Sequence, residues 1–309
     1  MIKTTISIIL LAIASLQPLA VYAAEPSAPQ QGADPAAKLQ AEVEAAFTAA
    51  TKVKQDGPAD IKLDEQATLK LPVGYLYIPK AEARQLLTSL GNRTDDTLVG
   101  MIFPATDQSN WFIVITYVSS GYIKDDDAKD WKADELLANI KEGTEHSNED
   151  RKARGIPEME IVGWVEKPTY DAAAHRLVWS LSSKDKGAPD TEEKGINYNT
   201  YALGREGYIS MNLVTDLRSI EAQKPIAKDM LAALNFNEGR RYADFNESTD
   251  KVAEYGLAAL VGGVAAKKLG LLAVIGAFIA KFFKIIIAVG IGGIAVIGKF
   301  FKGKKDGAA

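Results

Sequence analysis

The chain has 309 residues and no cysteine. That absence excludes disulfides, thiolate metal sites and a cysteine nucleophile, and it removes the residue on which a lipoprotein anchor is built. Stability must therefore come from an apolar core, for which the chain is long enough. Histidine is nearly as scarce, with His146 and His175 alone. Two distant imidazoles are a poor start for a metal centre, which needs several converging ligands. The nucleophile elbow G-x-S-x-G, the P-loop and H-E-x-x-H are all missing. These absences point away from enzyme chemistry, and no cofactor is expected.

What is present is ordinary globular composition, 47% hydrophobic and 25% charged, which excludes global disorder. The net charge of −4 is uneven. Beyond Tyr255 stand eight lysines against Asp306, so the body carries the acidic excess. An acidic body argues against nucleic acid, whose phosphates need a basic face. A basic tail beside apolar residues suits anionic lipid headgroups.

The first 23 residues read as an export signal. Lys3 supplies positive charge, Ile6 to Leu16 is almost wholly apolar, Pro18 breaks the helix, and Val21 and Ala23 place small residues before a cleavage point at Ala24. The alternative is an uncleaved N-terminal anchor. A leader rich in Pro, Gln, Ala and Gly follows over 24–35 and reads as disordered. An extracytoplasmic domain is assigned to 36–250, and a membrane anchor with a basic tail to 251–309.

The body predicts an α+β fold. Ala36 to Lys54 is alanine-rich and reads as a helix. Thr68 to Ile78 reads as one strand bent at Pro72-Val73-Gly74. Three hairpins follow from apolar, β-branched runs around turn-rich segments: 98–103 with 111–118, 159–165 with 176–181, and 197–203 with 208–214. Helical patterns at 81–91, 130–142 and 217–234 are expected to cover one face of an antiparallel sheet of about six or seven strands. Pro225 marks a break or second start in the last of these.

The strongest compositional shift runs from Tyr255 to Phe301. Lys281-Phe282-Phe283-Lys284 and Lys299-Phe300-Phe301-Lys302 bracket the apolar run from Ile285 to Gly298, which as a helix spans about 21 Å. With its aromatics at the interfaces and its lysines snorkelling, it approaches the roughly 30 Å hydrocarbon core. The preceding apolar stretches, 256–266 and 269–280, are each too short to span. Joined, they would put Lys267 and Lys268 near the bilayer centre. They form instead an interfacial helix or the first arm of a hairpin. Closing lysines favour a cytoplasmic C-terminus and one span in an inner membrane, with the body in the periplasm; two spans, or none, are the alternatives. Ala288 and Gly292 form a small-residue pair able to support helix association.

Candidate chemistry is thin. His175 beside Asp171 has the form of a base and its orienting acid, without an identifiable nucleophile. Asp125 to Asp127 with Asp130 resemble a calcium loop, but Lys129 occupies a ligand position and no glycine follows, so they read as helix-capping acids. Gly204-Arg205-Glu206-Gly207 reads as a turn, and Trp111, Trp164 and Trp179 as core.

A set of short motifs in fixed order carries more weight. They are Leu71-Pro72-x-Gly74-Tyr75, Gly91-Asn92, Gly121-Tyr122-x-x-Asp125-Asp126-Asp127-Ala128, Asp134-Glu135-Leu136-Leu137, Asn148-Glu149-x-Arg151, Gly163-Trp164, Pro168-x-Tyr170-Asp171, His175-x-Leu177-x-Trp179, Leu203-Gly204-Arg205-x-Gly207 and Thr249-Asp250-Lys251. In these the chain resembles the bacterial family catalogued as domain of unknown function 2167, from about residue 60 into the anchor. Lys132 after Trp131 is a small departure, since an acid is expected there. The resemblance implies an extracytoplasmic domain tied to a membrane and carries no catalytic role to any residue. Three functions remain in view: a binding or scaffold module of the bacterial envelope with the lipid bilayer and an envelope protein as partners, a hydrolase using Asp171 and His175, and a membrane-active protein acting through its tail.

Overall fold

The computed structural model describes residues 35–262, except 93, 107–110, 130 and 154–156. The chain opens with helix α1 (Pro35–Val53), then the short strands β1 (Gln55–Asp56), β2 (Ala59–Leu63), β3 (Ala67–Leu71) and β4 (Tyr75–Pro79). Helix α2 (Lys80–Ser89) leads to the hairpin of β5 (Leu98–Pro104) and β6 (Phe112–Val118). A 3-10 turn at Asp126–Lys129 precedes α3 (Ala133–Ala153). Strands β7 (Met159–Asp171), β8 (Arg176–Asp185), β9 (Gly195–Leu203) and β10 (Tyr208–Asp216) then form an antiparallel meander. Helix α4 (Ile220–Ala233), β11 (Leu234–Phe236), a 3-10 turn at Tyr242–Asp244 and α5 (Ala259–Gly262) close it.

This is the expected α+β class, with the three hairpins where periodicity placed them. The main sheet has eight strands in the order β1-β4-β5-β6-β10-β9-β8-β7, and a second sheet runs β11-β3-β2. The single bent strand expected over 68–78 is two strands, β3 and β4, in different sheets. The Pro72-Val73-Gly74 step is the corner between them. Gly74, at φ +88, takes a conformation that other residues rarely adopt.

The expected single helical face is also corrected. On β10, Ile209, Met211 and Leu213 share a cluster with Met230 and Leu231 of α4 and Leu69 of the small sheet. On the other face, Val214 and β6's Phe112 and Val114 share one with Phe47 of α1 and Leu86 of α2. Further along that second face, Leu177, Trp179 and Leu181 of β8 meet Leu136 and Ile140 of α3. The reason is that β5 and β9 are buried along their whole length, so both faces of the sheet need cover. Helix α4 also runs on through Pro225 without a break.

The free edge of the main sheet is β7. It carries three register shifts and contains Pro168. At its start the Asn148 amide from α3 donates to Met159 O and accepts from Met159 N, at 2.8 and 2.9 Å.

Residues past 250, assigned by sequence to the anchor, begin inside this body. Val252 forms a parallel bridge with Tyr122, and Leu257 and Val261 are fully buried in the α3 cluster. Among the described residues, no helix is long and apolar enough to cross a membrane. The proposed anchor side chains, from Lys281 through Ile285 and Gly292 to Lys302, lie outside the described residues.

Candidate functional site

The three aspartates after Tyr122 organise the molecule's most polar cluster. Asp125 Oδ2 accepts the Tyr170 hydroxyl proton at 2.6 Å. The same phenol oxygen lies 3.2 Å from His175 Nδ1, and Nδ1 lies 3.6 Å from Asp125 Oδ2. Since the phenol proton goes to the carboxylate, Nδ1 must carry the hydrogen that points at the phenol oxygen. Nε2 is then the open ring nitrogen. Burial, and then Asp125, push the Tyr170 phenol well above its usual range, so it stays a neutral donor. About a third of the His175 side chain is exposed.

A column of rings supports this cluster. His175 stacks on Tyr242 with centroids 4.0 Å apart, Tyr242 lies 4.4 Å from Tyr122, and Tyr122 stacks on Phe245 at 3.8 Å. The Tyr242 hydroxyl donates to Ile123 O at 2.8 Å. The column thus joins the β7–β8 turn, the loop after β6 and the 242–245 turn. His175 sits at φ +52, in the left-handed region, with its carbonyl accepting from Leu203 N at 3.0 Å.

Asp127 faces the opposite way along the chain. Its two carboxylate oxygens accept the amides of Leu257 and Ala258, each at 3.0 Å. Gly256 permits this approach: a Cβ there would lie 2.4 Å from Asp127 Oδ2. The aspartates are therefore caps, but of a segment about 130 residues away rather than of α3. Nearby, Arg205 grips Asp250 through two parallel bonds of 2.6 and 2.8 Å, while Asn246 N adds a third. Those bonds hold the Asp250 carboxyl well below the usual carboxylate range.

The sequence pairing of Asp171 with His175 is not the one that forms. Asp171 Oδ1 accepts from Ala173 N and Ala174 N and so shapes the turn, and the carboxylate beside the imidazole is Asp125. His146 is exposed on α3, 3.9 Å from Glu142. Trp179 and Trp111 are buried, and Trp164 donates to Ala133 O. The 204–207 segment is the β9–β10 turn, its guanidinium already engaged by Asp250. Asp125, Tyr122 and Tyr170 stood within the family motifs, which was the available signal for them. Tyr242 and Phe245 had none. Among the described residues, no group of three His, Cys, Asp or Glu side chains could hold a metal ion. Chemically, the cluster can take a proton at His175 Nε2 beside a carboxylate, and it ties four chain segments together.

A family model described as "Protein of unknown function (DUF2167)" matches residues 55–292. The chain belongs to this family. The match takes in the whole DUF2167 cluster just described, from Tyr122 to Ala258. No curated protein matches the chain in sequence. Among solved structures, the PsbP protein (CyanoP) of Synechocystis sp. PCC 6803 is 8% identical, covering 60% of this chain and 91% of its own at a TM-score of 0.36. The Ran-binding protein Mog1p of Saccharomyces cerevisiae is 10% identical, covering 58% and 93% at a TM-score of 0.31. Similarity at this level carries nothing over to a DUF2167 chain.

Proposed function

We propose that the protein is a membrane-tethered binding or scaffold module of the bacterial envelope, with its folded body held rigidly at the start of its own anchor. The body stands in the periplasm, the span in the inner membrane and the C-terminus in the cytoplasm. One observation carries the reading: the Asp127 carboxylate caps Leu257 and Ala258, and Leu257 and Val261 are core residues. The body therefore continues into the apolar segment without a polar linker. The segment bounded by Lys281 and Lys302 supplies the tether by its composition.

The test fuses alkaline phosphatase or a cytoplasm-active fluorescent protein after Ala309 and washes the membranes with alkaline carbonate. A cytoplasmic C-terminus that resists extraction is the expected result. Release by carbonate overturns the tether and favours a tail that acts on the membrane surface.

A further inference from the structure

The sheet face shared by α2 and α3 has an uncovered middle. Helix α2 packs chiefly on β5 and α3 on β7. Between those strands lie β6, β10, β9 and β8. Five strand steps at about 4.8 Å separate the two helices by about 24 Å, a gap one helix wide. Among the described residues, the helix with substantial packing on β9 and β10 is α4, on the opposite face.

The floor of the gap is polar. Thr116, Ser210, Asn212, Asn199 and Asn197 share this face, because Thr116 pairs with Ser210, Asn212 with Val114 and Asn199, and Asn197 with Val214. All five are at most 7% exposed. Asn212 Nδ2 donates to Asn197 Oδ1 at 3.0 Å, but Asn212 Oδ1 and Ser210 Oγ are buried without a hydrogen-bond partner. Orphaned polar atoms of this kind cost about 1–3 kcal/mol each. A floor so buried needs a cover, and one with polar groups of its own.

The chain itself arrives at the rim. Helix α5 packs on α3 and shares a cluster with Tyr201 and Leu203 of β9. From Gly262 the sequence continues for 18 residues to Lys281, apolar except for Lys267 and Lys268. As a helix those residues span about 27 Å, close to the roughly 30 Å length of a nine-residue strand such as β10. Ala266, Gly270, Ala273 and Ala277 fall on one helical face, narrow enough for close approach to a sheet.

We propose that residues 263–280 dock as a helix over this Asn–Ser floor. This deepens the tether reading, on which its second half rests: the span is then confined to the stretch between Lys281 and Lys302. Lys267 and Lys268 need not enter the bilayer, and they carry donors of the kind that Asn212 Oδ1 lacks.

The cysteine-free sequence makes the test clean. In membranes holding the full chain, Ser210→Cys, or separately Thr116→Cys, is combined with one cysteine at each position from 264 to 277 and oxidised. Each floor variant alone must melt as the parent does, and the two positions back each other up. The expected result is an intrachain disulfide recurring every three to four residues, Ala266 and Ala273 included. Absence of any intrachain bond overturns the proposal. So does an interchain bond alone, which assigns the gap to a second copy, or a bond to a cysteine at Ala28, which assigns it to the leader. Carbonate washing of the same membranes separates the two readings. Linked but extracted chains keep the docking and lose the tether; unlinked but retained chains do the reverse.

Discussion

The carboxylate of Asp127 accepts the backbone amide hydrogen of Leu257 at 3.0 Å, across 130 residues of chain. With Ala258 accounted for by the second oxygen, one side chain closes the C-terminal segment onto the loop after β6. Asp127→Ala should cost about 1–2 kcal/mol, as loss of a helix-capping carboxylate does. Leu257→Ala should cost about 2–5 kcal/mol, since it empties a fully buried site. Urea unfolding of the purified full chain measures both. A neutral Leu257→Ala would place residues past 250 outside the cooperative body.

The acid partner of His175 is open to direct reading, because only two histidines contribute ring signals. Asp125→Ala should move the His175 ring resonances strongly and leave those of His146 in place. Asp171→Ala should disturb the β7–β8 turn with a much smaller effect on the ring. The reverse ranking would restore the pairing expected from adjacency in sequence.

Tyr170→Phe removes the hydroxyl shared by Asp125 and His175. About 1–2 kcal/mol of stability should go with it, because a half-buried carboxylate loses its donor. Denaturant titration at neutral pH reads the change.

Acid sensitivity should follow Asp250. Its carboxyl is depressed in the folded state by Arg205 and by the Asn246 amide. As pH falls, the unfolded chain takes up this proton first, near pH 4. The stabilisation is therefore complete above that range and is lost as pH drops below it toward the folded value. Asp250→Asn should lower stability at pH 7 and flatten the acid limb of a melting-temperature profile. An unchanged acid limb would show that Asp250 is not linked to folding.

At the alkaline end, burial pushes the Tyr77 phenol up to about 12, with its hydroxyl on Val99 O. The unfolded phenol ionises near 10, so this contribution is present below pH 10 and fades above it. Tyr77→Phe should melt less steeply with pH between 10 and 12.

The hairpins were legible because β5, β6, β9 and β10 are β-branched and aromatic runs closed by turn residues. The small sheet was not, because β2 is five residues with Asp60 and Lys62 on its outer face, and β11 is three residues at the end of a helix. The two-sided cover was readable in principle from β9, where buried polar residues alternate with apolar ones, yet polar letters suggest solvent. The His175 cluster was the least legible. Its acid lies some fifty residues upstream, whereas Asp171, four residues away, offers the misleading local pairing.

Strand β7 has a consequence for how the protein keeps company with copies of itself. An open sheet edge invites another strand, and through it fibrils. Here the edge bends at three register shifts, Pro168 withholds a donor, and the Asn148 amide occupies both backbone groups of Met159 as a neighbouring strand would. The sheet is thereby terminated from within, so crowding at high local concentration does not by itself recruit a ninth strand.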